Sequence, residues 1–292
     1  MDIKKLGMWY FFDTMSSEQS AYCAKRIESL GYGTLWIPEV MGRHPFAHAA
    51  WLLANTSSLN VATGIASMYN RESGVTVSGQ KTLAEQSGNR FLLGLGVSHR
   101  PIVEGVRKLE YGKPVATMRK YLEDMDKSMY MSFPPSEEPP RVIAALGPKM
   151  LELARDKCTG AHPYFSSPSH TEMARKILGP DAMLCVEQKV LIENDADKAR
   201  TTARGIAKTY LGLPNYQNNW KRMGLNDKDF ENGGSDKFID ETFAWGSVEK
   251  VKDRIDEHFS AGASHVCIQP VNPNGVVGDI DWDALEKLAP QD

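Results

Sequence analysis

The sequence predicts a single (β/α)8 TIM barrel with insertions. Three observations carry that reading. Short apolar runs alternate with amphipathic stretches along the whole chain, the pattern of a parallel sheet covered by helices. Eight such strand–helix units follow one another in order, and eight parallel strands are what closes a barrel. The chain has 292 residues, and such barrels take about 250 as one domain. A doubly wound open sheet, which needs about five or six strands, is the alternative architecture.

The first strand is read over residues 6–12 and ends at Asp13. Residues 17–30 form a helix, with Ala21, Ala24, Ile27 and Leu30 at helical spacing and Gly31 as its stop. A strand over 34–38 precedes a helix over 48–55, a strand over 61–66 a helix over 73–87, and a strand over 91–97 a helix within 114–131. The second half repeats the alternation. Strands over 142–146, 161–165, 184–192 and 265–269 are interleaved with helices over 148–157, 169–178, 195–210, 247–261 and 282–288. Pro148 suits a first helical position, where its missing N–H costs nothing. Two segments exceed a minimal barrel: the connection 97–115, which follows a strand and is expected to form a wall or lid, and an Asn-, Gly- and Asp-rich insertion over 213–242. The whole of 1–292 is read as one domain carrying that insertion.

Composition excludes several classes. Hydrophobic residues make up 41% and charged residues 24%, so a packed core is expected and a disordered chain or small disulfide scaffold is not. Lys and Arg total 34 against 37 Asp and Glu, a net charge of -3, which leaves no electrostatic footprint for nucleic acid. No apolar run approaches the ~20 residues that span a bilayer, and the N-terminus does not read as a secretory leader. The four cysteines are scattered without a CxxC, as expected of reduced thiols in a cytoplasmic protein. His44 and His48 have metal-pair spacing, but Pro45 lies between them and no HExxH glutamate accompanies them, so no metal is expected.

Chemistry in a barrel gathers where strands end. His99 follows Leu92-Leu93-Gly94-Leu95-Gly96-Val97-Ser98, a buried strand opening into a flexible turn, where an imidazole can move a proton near neutral pH. It is equally read as a loop histidine bonded to a carbonyl. Glu39 ends the second strand and can be a base, a cofactor hydrogen-bond acceptor, or the partner of an arginine such as Arg43. Gly64 near the end of the third strand suits a bulge or a close ligand approach, or simply a crowded interior. The turn Ala144-Ala145-Leu146-Gly147-Pro148 runs from strand to helix start and can present backbone N–H groups to a phosphate.

Taken in order, these segments resemble the luciferase-like monooxygenase superfamily of flavin and deazaflavin enzymes. The matching pieces are Gly31-Tyr32-Gly33-Thr34-Leu35-Trp36-Ile37-Pro38-Glu39, Val61-Ala62-Thr63-Gly64-Ile65, Arg90-Phe91-Leu92-Leu93-Gly94-Leu95-Gly96-Val97, Ala144-Ala145-Leu146-Gly147-Pro148 and Ala261-Gly262-Ala263-Ser264-His265-Val266. Leu213-Pro214-Asn215-Tyr216 and Gly233-Gly234-Ser235-Asp236 look like the insertion of the branch that uses coenzyme F420. The resemblance implies a bacterial luciferase-like barrel, dimeric, with cofactor at the C-terminal face. It implies F420, or alternatively FMN, held by Gly64, Ile65, Ser67, Val97, Ser98, Leu146 and Gly147. It also implies a cis peptide at Gly64–Ile65 behind the cofactor ring. Sugar-oxidising members carry an acidic glutamate where this chain has His99, and some relatives carry a histidine near Glu39 where this chain has none.

The expected activity is F420-dependent hydride transfer to or from a small organic substrate, with His99 and Glu39 as catalytic residues. An FMN-dependent monooxygenase served by a separate reductase and a non-catalytic flavin-binding barrel are the alternatives. A metal-dependent barrel hydrolase finds no clustered His/Asp set to support it.

Overall fold

The computed structural model describes residues 1–274 and 278–291. Eight parallel strands close a barrel: β1 (Leu6–Trp9), β2 (Thr34–Ile37), β3 (Asn60–Thr63), its short continuation β4 (Ala66–Ser67), β5 (Phe91–Gly96), β6 (Arg141–Ile143), β7 (Gly160–Ala161), β8 (Met183–Ile192) and finally β10 (His265–Pro270), with β3 and β4 together counting as one. Closure comes from β10, which pairs with β1 on one side and with β8 on the other. The strand between them in sequence, β9 (Phe243–Gly246), stands outside the ring and extends the upper half of β8, from Lys189 to Ile192. The closed barrel replaces the open-sheet alternative.

Each strand leads into covering helices: α1 (Ser17–Ser29), α2 (Pro45–Ala54), α3 (Ser73–Gln86), α4 (Pro114–Lys127), α5 (Pro148–Lys157), α6 (Pro168–Leu178) and α7 (Ala196–Leu211). After these come α8 (Pro214–Arg222), α9 (Asp236–Thr242), α10 (Val248–Ser260) and α11 (Trp282–Leu288). Local chemistry sets their ends. Ser16 and Gln19 form a reciprocal capping box at the start of α1, and Gly31 takes a φ of 86° just past its end. His44 caps α2 by accepting the Ala47 N–H.

Three apolar clusters hold the layers together. One lies between the strands and the helices and includes Leu35, Val61, Phe91 and Leu93. A second fills the barrel interior with Trp9, Trp36, Leu92 and Cys267. Interior space is tight: a Cβ on Gly94 would stand 2.0 Å from the Thr63 carbonyl oxygen, so glycine there admits the neighbouring strand. The third cluster packs Phe165, Trp220, Phe238 and Phe243 through edge-to-face contacts, each about 0.5–1.5 kcal/mol beyond area burial.

That third cluster organises the segment 213–242, read from the sequence as an Asn-, Gly- and Asp-rich insertion. The segment folds as α8, a 3-10 turn (Asp227–Gly233) and α9, because its few large apolar residues meet one buried centre. The connection after β5 contains a π-turn (Pro101–Val106). None of the described helices is long and apolar enough to cross a membrane.

Candidate active site

Side chains alternate along a strand, so one set of each strand points into the barrel. Inside, Trp36 stacks on His162 at 4.2 Å and 13° and donates its Nε1–H to His265 Nε2 at 3.0 Å. His162 donates Nδ1–H to the Cys185 carbonyl, and its Nε2 has no partner among the described residues. Above this layer Ile65, Val97, His99, Leu146, Tyr164 and Gln269 stay only half-buried, which marks the open mouth at the C-terminal strand ends.

The Gly64–Ile65 bond at the end of β3 is cis, as the resemblance implies. The Gly64 carbonyl accepts the Trp9 Nε1–H at 2.8 Å, and a Cβ on Gly64 would stand 2.7 Å from that nitrogen. Glu39 joins this segment: its N–H donates to the Ile65 carbonyl at 3.1 Å, and its Oε2 accepts the Ser67 N–H at 2.8 Å. Its arginine partner is Arg71, not Arg43. Arg71 grips both carboxylate oxygens, and the two side chains are only 5% and 8% exposed. Arg43 instead donates its backbone N–H to Asp13. Thus Glu39, Ser67 and Ile65 are brought together, while His99 stands apart and makes no hydrogen bond to Glu39.

His99 lies at the junction of β5 and the π-turn. Ser98 before it takes a φ of 54°, and the His99 carbonyl accepts the N–H groups of Ile102 and Val103. The imidazole sits 5.8 Å from the Tyr216 ring. Burial lowers its pKa, with the Asn215 side chain opposing that shift, so the ring is neutral at pH 7. Both Asn215 and Tyr216 come from the start of α8. The connection behind His99 is pinned by Tyr111, which donates to the Ser98 carbonyl and stacks on Tyr69 at 5.5 Å.

At the top of β6, Gly147 is the N-cap of α5 and offers no side-chain cap of its own. Pro148 brings no N–H and the Met150 N–H turns back to the Gly147 carbonyl at 3.1 Å, so the Lys149 N–H is the donor of this first turn left for a ligand or solvent. The guanidinium of Arg222, from the end of α8, lies 3.6–3.8 Å from where a Gly147 Cβ would be. A fixed positive charge and a helix N-terminus thus meet at one spot, an arrangement suited to a phosphate. The Leu146 carbonyl is turned away and accepts His170 Nε2–H at 2.9 Å.

The largest omission from the sequence-derived site is Lys189. It is fully buried and pairs with Glu187 at 3.1 and 3.2 Å. Its ammonium stands 3.9 Å from the Tyr164 ring centre and 4.0 Å from that of Phe165. Burial lowers the Lys189 pKa to about 8 and raises that of Glu187. Glu187 also accepts the Phe165 N–H at 2.8 Å, and Trp220 donates to the Phe165 carbonyl at 3.1 Å. These two bonds hold Phe165 at a φ of 56°, a region a bulky residue rarely adopts. Above the pair, the Tyr164 hydroxyl bonds Gln269 Oε1 and the Tyr210 hydroxyl, each at 2.8 Å. Gly64 directly follows β3 and Gln269 is the penultimate residue of β10, whereas Glu187 lies in the middle of β8.

The profile of the luciferase-like monooxygenase family matches residues 13–265. The chain belongs to that family. Within it, a 5,10-methylenetetrahydromethanopterin reductase of Methanolobus tindarius is 26% identical over 87% of this chain and 91% of its own length. An F420-dependent secondary alcohol dehydrogenase, solved with an F420–acetone adduct, superposes with a TM-score of 0.78 at 14% identity, covering 98% of each chain. The oxygenating constituent of 3,6-diketocamphane monooxygenase from Pseudomonas putida, solved with FMN, gives 0.66 at 15% identity over 98% of this chain and 97% of that one. The two solved structures share the barrel. The family match makes this chain one of the luciferase-like oxidoreductases, and of the two solved structures one holds an F420 adduct and the other FMN.

Proposed function

We propose that this chain is an F420-dependent oxidoreductase that transfers hydride between the deazaflavin and a small organic substrate. One observation carries the reading: an anion seat at Gly147 and a half-buried, neutral-held histidine occupy the same barrel mouth. The residues fit such a cofactor. Gly147 and Arg222 suit its phosphate, Gly64 and Ile65 with Val97 and Ser98 suit the ring's edge and back, and Trp9 fixes the Gly64 carbonyl. When bound, the deazaflavin supplies the hydride chemistry.

The protein's own groups supply the rest. His99, neutral at pH 7, can accept the proton of a substrate hydroxyl on its unprotonated ring nitrogen, and the imidazolium so formed can return it in the reverse direction. Glu39 acts through Ser67 and Arg71, fixing the backbone beside Ile65 rather than moving a proton. Asn215 and Tyr216 flank His99, Asn215 by a side-chain hydrogen bond and Tyr216 by its ring at 5.8 Å. Changing His99→Ala is expected to lower kcat by roughly 100-fold and leave the F420 dissociation constant within about twofold. An unchanged kcat removes the assignment. Changing Arg222→Ala is expected to weaken F420 binding about tenfold or more, the size of a charge-assisted contact of about 1.5–3 kcal/mol, with a smaller effect on a phosphate-free ring analogue.

Quenching of tryptophan fluorescence by F420 and, separately, by FMN tests the cofactor. Tighter binding of F420 is expected. A preference for FMN transfers the reading to the monooxygenase alternative, and binding of neither removes both.

A further inference from the structure

The wall that faces a substrate can be read for charge. Among the described residues, three ionised groups near the mouth are paired, while Arg107 at the rim donates to the Val40 carbonyl and Asp13 accepts the Arg43 N–H. Glu39 is held by Arg71, Glu187 by Lys189, and Arg100 at the rim by Glu104. Arg222 stands over Gly147, at the far end of α8 from His99. What faces the mouth is Ile65, Leu146 and the ring of Tyr164, backed by the buried Tyr216, with His99 and Gln269 as polar points.

The rings form one connected surface. Tyr216 lies 5.8 Å from His99 and 6.3 Å from Tyr164, and stacks on Trp220 at 5.6 Å and 25°. Trp220 is itself tied to the Phe165 carbonyl, so this wall is rigid. Gln269 Oε1 is occupied by the Tyr164 hydroxyl, which turns its amide N–H groups to other partners. Across the mouth His99 stays neutral.

We infer that the site takes an uncharged, largely apolar substrate, aromatic or alicyclic, recognised through one carbonyl or hydroxyl oxygen. This deepens the hydride-transfer reading and rests on it. A carboxylate or phosphate brought against this wall loses its water and gains no counter-charge, a penalty an uncharged ligand of equal size does not meet. The aromatic surface rewards a flat apolar body. Both the neutral ring of His99 and the Gln269 amide can bond a single oxygen without altering the charge of the pocket.

The test is isothermal titration calorimetry with a matched pair, acetophenone and 4-acetylbenzoate, which differ by one carboxylate. Each is titrated into the enzyme with and without F420. Acetophenone is expected to bind at least tenfold tighter in both forms, and Gln269→Lys is expected to narrow or reverse that preference. Equal or tighter binding of 4-acetylbenzoate to the wild-type enzyme overturns the inference, and so does binding of neither. Failure of F420 itself to bind counts against the cofactor reading, and the F420-free titrations then still decide the preference of the wall.

Discussion

Replacing Lys189 with Met is expected to destabilise the fold by about 3–5 kcal/mol, the usual cost of removing one partner from a buried ion pair. Lys189 and Glu187 are both fully buried, two residues apart on one face of β8. Without the ammonium, Glu187 is left in the barrel with only the Phe165 N–H to bond. Its carboxyl must then protonate or drag water inside. For a chain of this size each kcal/mol moves Tm by about 2–4 °C, so K189M should lower Tm by roughly 10 °C. The double variant E187L/K189M removes both charges and should regain most of the loss, because the pair's mutual attraction does little more than offset its desolvation. Thermal unfolding of the two variants side by side decides the matter. A single variant as stable as wild type, or a double variant worse than the single, contradicts this account.

Acid should unfold the protein in the range where ordinary histidines titrate. His162, His170, His258 and His265 are each no more than 1% exposed. Burial pulls their pKa values to about 4, 4, 3 and 4. The bonds explain why the neutral form is required. Gln188 donates its amide to the carbonyls of Lys189 and Thr242, so its Oε1 must accept from His258 Nε2–H, and Nδ1 then faces the Thr171 hydroxyl as an acceptor. His265 donates Nδ1–H to the Lys4 carbonyl and takes the Trp36 N–H on Nε2. A second proton on either ring has nowhere to bond.

The sign follows from linkage. Between about pH 6.5 and 4 the unfolded chain binds protons at these positions and the native chain does not, so stability falls as pH falls. At pH 5 each such group removes about 2 kcal/mol, and four together rival a typical total stability of about 5–15 kcal/mol. Glu187, with its raised pKa, works in the opposite sense, one group against four. Urea unfolding from pH 8 to pH 5 should show the midpoint falling steeply below pH 6.5. A flat profile contradicts the requirement for neutral histidines.

The eight barrel strands and their helices were legible because each is short, apolar and followed by a 3.6-residue pattern of its own. Residues 213–242 were not, since α8 buries only Tyr216, Asn219 and Trp220 and α9 only Phe238, Ile239 and Thr242, too few for a periodic signal. Their caps were present all the same: Pro214 at a helix start, Asn226 with Asp229 as a capping box, and Ser235 before α9. Glu187 and Lys189 sit in Val-Glu-Gln-Lys-Val, which reads as a polar, solvent-facing alternation. Only closure of the barrel turns that face inward. The contact of Glu39 with Arg71 spans 32 positions, and that of Arg222 with Gly147 is longer still, so neither leaves a local trace. His99 and the Leu146–Gly147 turn were visible because glycines and a strand end announce them where they stand.

Strand β8 is shared: Cys185–Val190 closes the barrel with β10, and Lys189–Ile192 carries β9. The inserted segment is therefore welded at its base to the barrel staves and cannot swing away as one piece. Helix α8 is held as well, through the buried Asn219 and Trp220 and the bond from Trp220 to the Phe165 carbonyl. One nine-residue helix therefore carries both Arg222 at its end and Tyr216 near its start, so whatever seats Arg222 also settles Tyr216.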